Sequence, residues 1–518
     1  MKDYKKLQNG SDIRGIAVEG VSEEKVNLTP KEAFHIAAGF AKWLREDKGI
    51  DDRCGNSSSG KELTVAVGRD PRISGPDLLS GLMKGFAAKG IKVYECGLAS
   101  TPAMFMSTVF KEFECDGAVM ITASHLPFNR NGFKFFTGKG GLNKNDIGLI
   151  LEYANSCEKN NDKLREEIDS KERKISLEKA CKADLMTVYC AHLRKIIKDG
   201  ADMGDKPLEG MKIVVDAGNG GGGFFAERVL APLGADVSAS QFLKPDGMFP
   251  NHAPNPENKE AMKAISEQVT ASGADFGIIF DTDVDRSAAV DEMGNEIARN
   301  GIVAMAASLV AETGAGSTVV TDSITSTQLT EFIENELGLV HLRFKRGYKN
   351  VINKAQELNE QGTDCRLAIE TSGHAALKEN YFLDDGAYLA TKIVVKAARL
   401  KREGKALSKV LEKLKEPADE LEVRIPITCD DFSSYADRVL EELEAYAAEE
   451  EELSLAVPNY EGVRINFPDG WCLLRKSLHD PIMPMNMASD SVNGCMAIKE
   501  KMRLFLEKYS ELDIEGRL

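Results

Sequence analysis

The sequence predicts a multidomain α/β protein, and three observations carry that prediction. Apolar, β-rich runs at residues 64–68, 118–122, 211–216, 276–280 and 318–321 each lead into a glycine-containing turn and then a helical pattern. That alternation builds α/β domains with largely parallel sheets, whose ligands gather at the carboxyl ends of the strands. The chain has 518 residues, too many for one hydrophobic core when domains of roughly 100 to 150 residues are usual, so roughly three to five domains are expected. Hydrophobic residues make up 42% and charged residues 29%, the proportions of a folded globular enzyme with little room for disorder.

Breaks in the pattern divide the chain. They fall at the polar stretch 198–210, near Asn300 after a strand-turn-strand signal at 293–296, and at 413–419, where Glu416-Pro417 interrupts. The expected domains are residues 1–205, 206–303, 304–418 and 419–518. The glutamate-rich run 441–452 is read as the solvated face of an amphipathic helix, because Tyr435, Val439, Leu443, Tyr446 and Ala447 recur at helical spacing. Residues 57–60 read as a loop tip.

A formal charge of −16 argues against nucleic acid or an anionic membrane as a partner, since both repel an acidic surface. An anionic substrate must therefore be met by a local basic pocket. The N-terminal MKDYKKLQNGSDIRG has no apolar stretch, and no run approaches the ~18 apolar residues that span a bilayer, so a cytoplasmic protein is expected. Ten cysteines from Cys54 to Cys495, with no CxxC pair, read as reduced thiols.

Chemistry concentrates in a few segments. GAVMITASHLPFNRNGFKFF places Ser124 just past an apolar run, with His125 beside it and Lys134 further on. Ser124 is a candidate nucleophile or phosphate carrier, although an adjacent Ser-His pair alone makes no catalytic dyad. In FGIIFDTDVDRSA, Asp281, Asp283 and Asp285 alternate directly after a strand and are followed by Arg286. Neighbouring carboxylates repel by about a kcal/mol or more per pair unless a cation offsets them, and hard oxygen ligands suit Mg²⁺. An EF-hand loop is excluded, because Arg286 stands where its glycine is required and a strand, not a helix, precedes.

LAIETSGHAALKENYFLDDGAY carries Glu370, Ser372 and His374, donors and acceptors suited to vicinal sugar hydroxyls. RINFPDGWCLLRKSLHDP offers Arg475, Lys476 and Ser477 as an anion cradle. Of the basic, glycine-bearing pieces DIRG and VGRDPRISG, Arg14 and Arg69 are expected near a reacting phosphate, whereas Asp70 and Arg72 are expected to form an interdomain salt bridge.

Taken in order, TASHLP, DTDVDR, IETSGH and RKSLHDP, with PDGMFPNHAPNPEN at 245–258, resemble the motifs of the α-D-phosphohexomutase (phosphoglucomutase/phosphomannomutase) family over nearly the whole chain. The resemblance implies three α/β domains with mixed sheets and a smaller C-terminal α+β domain around a central cleft. It implies that Ser124 is carried as phosphoserine and that Asp281, Asp283, Asp285 and a Ser124 phosphate oxygen hold Mg²⁺. Arg14, Arg69, Lys134 and Arg286 would be the cations on the moving phosphate, with Lys134 or His125 taking the proton. Glu370, Ser372 and His374 would bind sugar hydroxyls, and Arg475, Lys476 and Ser477 the phosphate that stays in place. Hexose 1-phosphate and hexose 6-phosphate of glucose or mannose would interconvert through a bisphosphorylated sugar, with hexose 1,6-bisphosphate as activator, in a monomer or homodimer.

The chain departs from the family pattern at Leu126, Thr282, Ile369 and His479-Asp480, and at Ile324 and Tyr348, where bacterial members often carry Lys and His. These departures touch the sugar grip more than the phosphoryl chemistry. The alternatives are phosphoglucosamine as substrate, a catalytically quiet sugar-phosphate-binding paralogue, and a serine-based phosphomonoesterase.

Overall fold

The computed structural model describes residues 3–21, 24–47, 49, 62–159, 181–477 and 480–518. Cys54, the expected loop tip 57–60 and His479 lie outside the described residues. Two compact units emerge: residues 1–298 with 372–409, and residues 299–371 with 410–518.

In the first unit, strand Thr64–Arg69 is flanked by parallel partners Lys92–Leu98 and Gly117–Ile121. The sheet is mixed, as the family resemblance implies. Arg130–Thr137 runs antiparallel to Gly117–Ile121 and then pairs with Asp12–Ile16. The reason is connection length: only residues 122–129 separate Gly117–Ile121 from Arg130–Thr137, too few for the crossover that a parallel pair needs. This short return forces residues 122–129 into a tight loop at the strand end, which positions Ser124. One face of the sheet packs on helix Pro30–Asp47, with Phe40 stacked on Trp43 and tilted against Phe135.

The second sheet pairs Ile213–Asp216 parallel with Phe276–Phe280, which turns back antiparallel as Ser287–Val290 and continues to Glu296–Ile297. Phe280 is register partner of Ser287, so residues 281–286 are the whole hairpin connection. FGIIF is buried at every position, as a strand covered on both faces requires. Helix Gly386–Arg402, capped by the Asp385 side chain, packs along Leu185–Ala201 and Ser287–Val290.

The second unit contains parallel strands Val340–Arg343, Thr318–Thr321 and Cys365–Ile369. It also contains an antiparallel sheet in the order Asp419–Pro426, Ile482–Ser489, Gly470–Leu474, Val463–Phe467, Ser454–Leu455. Helix Phe432–Glu449 buries Ala436, Val439, Leu443 and Ala447, so the glutamate run is its solvated face. No helix among the described residues is long and apolar enough to cross a membrane, and the described cysteines are all free thiols.

Candidate active site

Ser124 follows its strand by three residues and takes a left-handed backbone, φ +49°, a conformation that costs a non-glycine residue about 1–2 kcal/mol. Its N–H donates to Thr122 Oγ1 at 2.9 Å and its hydroxyl to Asp281 Oδ2 at 3.1 Å. His125 Nδ1 lies 3.4 Å and Arg286 Nη2 3.5 Å from the same hydroxyl. His125 is exposed at the loop surface; partial desolvation, and then Arg286 beside it, disfavour a charged ring, so its pKa lies below the usual imidazole value.

The hairpin 281–286 brings the three carboxylates to within 4.8 Å of one another, all buried. Val284, a β-branched residue, adopts φ +69°, strain that turns successive acidic side chains onto one focus. Asp281 accepts from the Arg286 N–H and Nε at 3.2 and 3.1 Å. Asp283 accepts from the Thr101 hydroxyl at 2.5 Å, and its carbonyl from the Thr101 N–H at 2.8 Å. Lys134 Nζ is paired with Asp285 Oδ2 and lies 3.6 Å from Asp283 Oδ2.

These residues fit a divalent cation. Asp283 Oδ1 and Asp285 Oδ1 are buried with no hydrogen-bond partner, and orphaned buried carboxylate oxygens are costly unless an ion takes them up. Burial, then Asp285 and Asp283, raise Asp281 well above the carboxylate range. Asp285 is the opposite case: burial raises it, but Lys134, His374 and Arg286 outweigh that and hold it below the range.

Arg286 is 1% exposed and also reaches Asn255 Oδ1 at 3.2 Å and Glu257 Oε2 at 3.3 Å, so the 245–258 loop belongs to this centre. His374 Nε2 lies 3.7 Å from Asp285 Oδ1, and its Nδ1 is 2.9 Å from the Ser372 hydroxyl. Arg14 binds the Thr122 carbonyl and, at 2.7 Å, Asp12. Arg69 donates to the Asp70 carbonyl at 3.2 Å. The expected interdomain role of Asp70 and Arg72 is not what is found: they pair with each other, both fully buried, and Arg72 turns its remaining donors on the Ser124 loop.

The other predicted residues belong to the second unit. Glu370 Oε1 accepts from the Gly347 N–H at 2.7 Å. Arg475 is half-buried, with its Nε unpartnered, and desolvation and then Arg346 lower its pKa. Lys476 is held by Asp437 at 2.6 and 2.8 Å, and Ser477 Oγ accepts from the Asp480 N–H at 3.2 Å. Ile324 packs on the cluster of Trp471, Leu473 and Ala488.

Sequence reasoning missed Thr101, Asn255, Glu257 and Arg346. The 245–258 segment was a signal for two of them; nothing in ASTPAMFM marks Thr101.

Profiles described as "Phosphoglucomutase/phosphomannomutase, alpha/beta/alpha domain I", domain II and domain III match residues 5–160, 187–294 and 298–417. The phosphomannomutase/phosphoglucomutase of Pseudomonas aeruginosa is 30% identical over 469 residues, 90% of this chain and 91% of that protein. The chain belongs to the phosphoglucomutase/phosphomannomutase family. Membership makes it a mutase, an intramolecular phosphotransferase. The phosphoglucomutase of Neisseria gonorrhoeae is 29% identical over 506 residues, 97% of this chain and 96% of that one. The fold matches a phosphoglucomutase/phosphomannomutase family protein from Burkholderia thailandensis with TM-score 0.73 and 24% identity, covering 97% of each chain. Three α/β domains and a β-rich fourth are thus the family architecture, with the mixed sheets described above.

Proposed function

We propose that the protein interconverts hexose 1-phosphate and hexose 6-phosphate, with glucose or mannose as the sugar, through a phosphoserine at Ser124. The observation that carries this reading is the Ser124 hydroxyl, held 3.1 Å from Asp281 in a buried cluster of three carboxylates with Arg286 and Lys134 beside it. The names of the Pseudomonas and Neisseria relatives supply the sugars.

In this reading a hydroxyl of the sugar phosphate attacks the phosphorus on Ser124, the Oγ–P bond breaks, and the hydroxyl proton leaves to a base. The bisphosphorylated sugar then turns, and Ser124 Oγ takes its other phosphate. Asp281, Asp283 and Asp285 would hold Mg²⁺ together with the Ser124 phosphate, and the ion would supply positive charge for the charge that spreads over the transferring oxygens. Arg286 stays charged because Asp281 and Asp285 outweigh the effect of its burial, so it stabilises the same oxygens. His125, 3.4 Å from the Ser124 hydroxyl, or Lys134, paired with Asp285, is the group that takes the proton.

The cycle needs a second grip for the phosphate that stays. Arg475, Lys476 and Ser477 are the proposed grip, with Glu370, Ser372 and His374 on the sugar and Arg14 and Arg69 adding charge near the moving phosphate. Hexose 1,6-bisphosphate is the activator. The division at 205/206, 303/304 and 418/419, a cytoplasmic location and a monomeric or homodimeric state belong to the same proposal.

The test is a panel of glucose, mannose and glucosamine 1-phosphates with Mg²⁺ and a trace of glucose 1,6-bisphosphate. Isomerisation of glucose or mannose phosphate without stoichiometric release of inorganic phosphate is expected. Release of phosphate alone would identify a phosphatase, and no turnover of any sugar would sink the mutase reading.

A further inference from the structure

Arg72 lies outside the transfer chemistry described above, yet its side chain is the most fully bonded cation near Ser124. It is 0% exposed, and a guanidinium has five N–H donors. Nη1 donates to the carbonyls of Pro127 at 2.7 Å and Arg130 at 3.0 Å. Nη2 donates to Leu126 O at 2.6 Å and to Ser124 O. Nε donates to Asp70 Oδ2 at 3.1 Å, while Asp70 Oδ1 accepts from the Arg72 N–H at 3.0 Å. All five donors are therefore used, and four of them end on carbonyls between residues 124 and 130.

A loop whose carbonyls point inward to one centre has no sheet ladder to hold it. Here Arg72 takes the place of the ladder. The loop's one left-handed non-glycine residue is Ser124, whose own carbonyl is among the four. The clamp is closed from the 245–258 loop: the Phe249 ring lies 5.3 Å from the guanidinium carbon, and Gly247 presses on the Arg72 segment so closely that a Cβ there would meet Pro71 O at 2.4 Å and Arg72 Cα at 2.8 Å.

We infer that Arg72 is a positioning residue for phosphoryl transfer: it fixes the backbone of the Ser124 loop in the left-handed turn that aims the hydroxyl at Asp281 and Arg286. It touches no reacting atom, so its loss should slow the chemistry without weakening substrate binding. Lysine cannot substitute, because a compact ammonium with three donors cannot span four carbonyls and Asp70.

The kinetic part rests on the mutase reading; the structural part does not, and the experiment separates them. Arg72→Lys and Gly247→Ala are made in the full chain. Amide hydrogen exchange of residues 122–131 and the thermal midpoint are measured, together with kcat and KM for glucose 1-phosphate with Mg²⁺ and glucose 1,6-bisphosphate. In Arg72→Lys, exchange of the loop should quicken about 10-fold or more while the hairpin 276–290 changes by less than about twofold. Its kcat should fall about 100-fold with KM within about threefold, the signature of a misplaced reacting group. Gly247→Ala should shift both in the same direction, by about 10-fold in kcat. It decides the matter if Arg72→Lys does not accumulate folded. Unchanged loop exchange overturns the inference whether or not the parent turns over; unchanged kcat, or a KM rising in step with its loss, overturns it in an active parent. An inactive parent with a loosened loop would leave the clamp standing and sink the mutase reading instead.

Discussion

Around Ser124, polar and charged groups are buried and bonded: Arg286 to Asp281, Lys134 to Asp285, the Thr101 hydroxyl to Asp283, and Arg72 to main-chain carbonyls of the serine loop. Around Arg475 the arrangement is looser. Lys476 is engaged by Asp437, Arg475 Nε is unpartnered, and Ile324 makes an apolar contact with Trp471, Leu473 and Ala488. In the proposed cycle the serine centre and the Arg475 region face different demands. A transferring phosphoryl group must meet preset charges that need not reorganise. The stationary phosphate must be gripped and released in two orientations of the same intermediate, which a rigid, fully satisfied site would hinder. Leu126 and Thr282 depart from the family pattern in the tightly bonded region, and Ile324, Tyr348 and Ile369 in the second unit.

The comparison can be broken most severely at the serine. Ser124→Ala should lose turnover by a factor on the order of 10⁴ or more while keeping its thermal midpoint, and near-normal isomerisation would refute the carrier role. Asp283→Asn should weaken Mg²⁺ activation by about 100-fold or more and lower kcat with it. A metal titration that superimposes on the parent would remove the carboxylates as ligands. In the looser half, Arg475→Ala should raise KM about 10- to 100-fold, the worth of a charge-assisted hydrogen bond, with kcat falling less. A drop confined to kcat would mean that Arg475 acts on the transfer step after all.

The smallest effect lies in the second unit away from the grip. His341 is half-buried between the Thr321 and Thr330 hydroxyls, at 2.8 and 2.9 Å, and desolvation, then Arg343 and Arg464, hold its pKa well below 6.5. The native ring stays neutral while the unfolded ring takes a proton below that pH, so its contribution is complete above 6.5 and lost as the pH falls, by up to about 1.4 kcal/mol per pH unit. Urea midpoints at about pH 7.5 and 5.5 should therefore differ less in His341→Gln than in the parent. Equal shifts in both proteins would assign the acid sensitivity elsewhere.

Residues of like chemistry clustered along the chain were legible without coordinates. DTDVDR marks a candidate cation site because three carboxylates at one strand end repel unless positive charge offsets them, and the helical spacing of Val439, Leu443 and Ala447 announces a buried face whatever the glutamates around them do. The run FGIIF likewise announces a buried strand. Less legible was any role that depends on backbone carbonyls or on a partner far away in sequence. Arg72 reads as a salt-bridging arginine because its chief acceptors are main-chain oxygens more than fifty positions on, which no side-chain pattern encodes. Thr101 is a helix-start threonine until it is seen against Asp283, 182 residues later.

The sequence by itself thus determined the family motifs, the serine, the triple carboxylate and the α/β alternation, all carried by local patterning and residue chemistry. The tertiary structure alone decided the short antiparallel return that makes residues 122–129 a tight loop, the left-handed turn at Ser124, and the guanidinium that holds it. Those depend on where distant backbone groups converge, and hydrogen-bond convergence in space leaves no period in the chain.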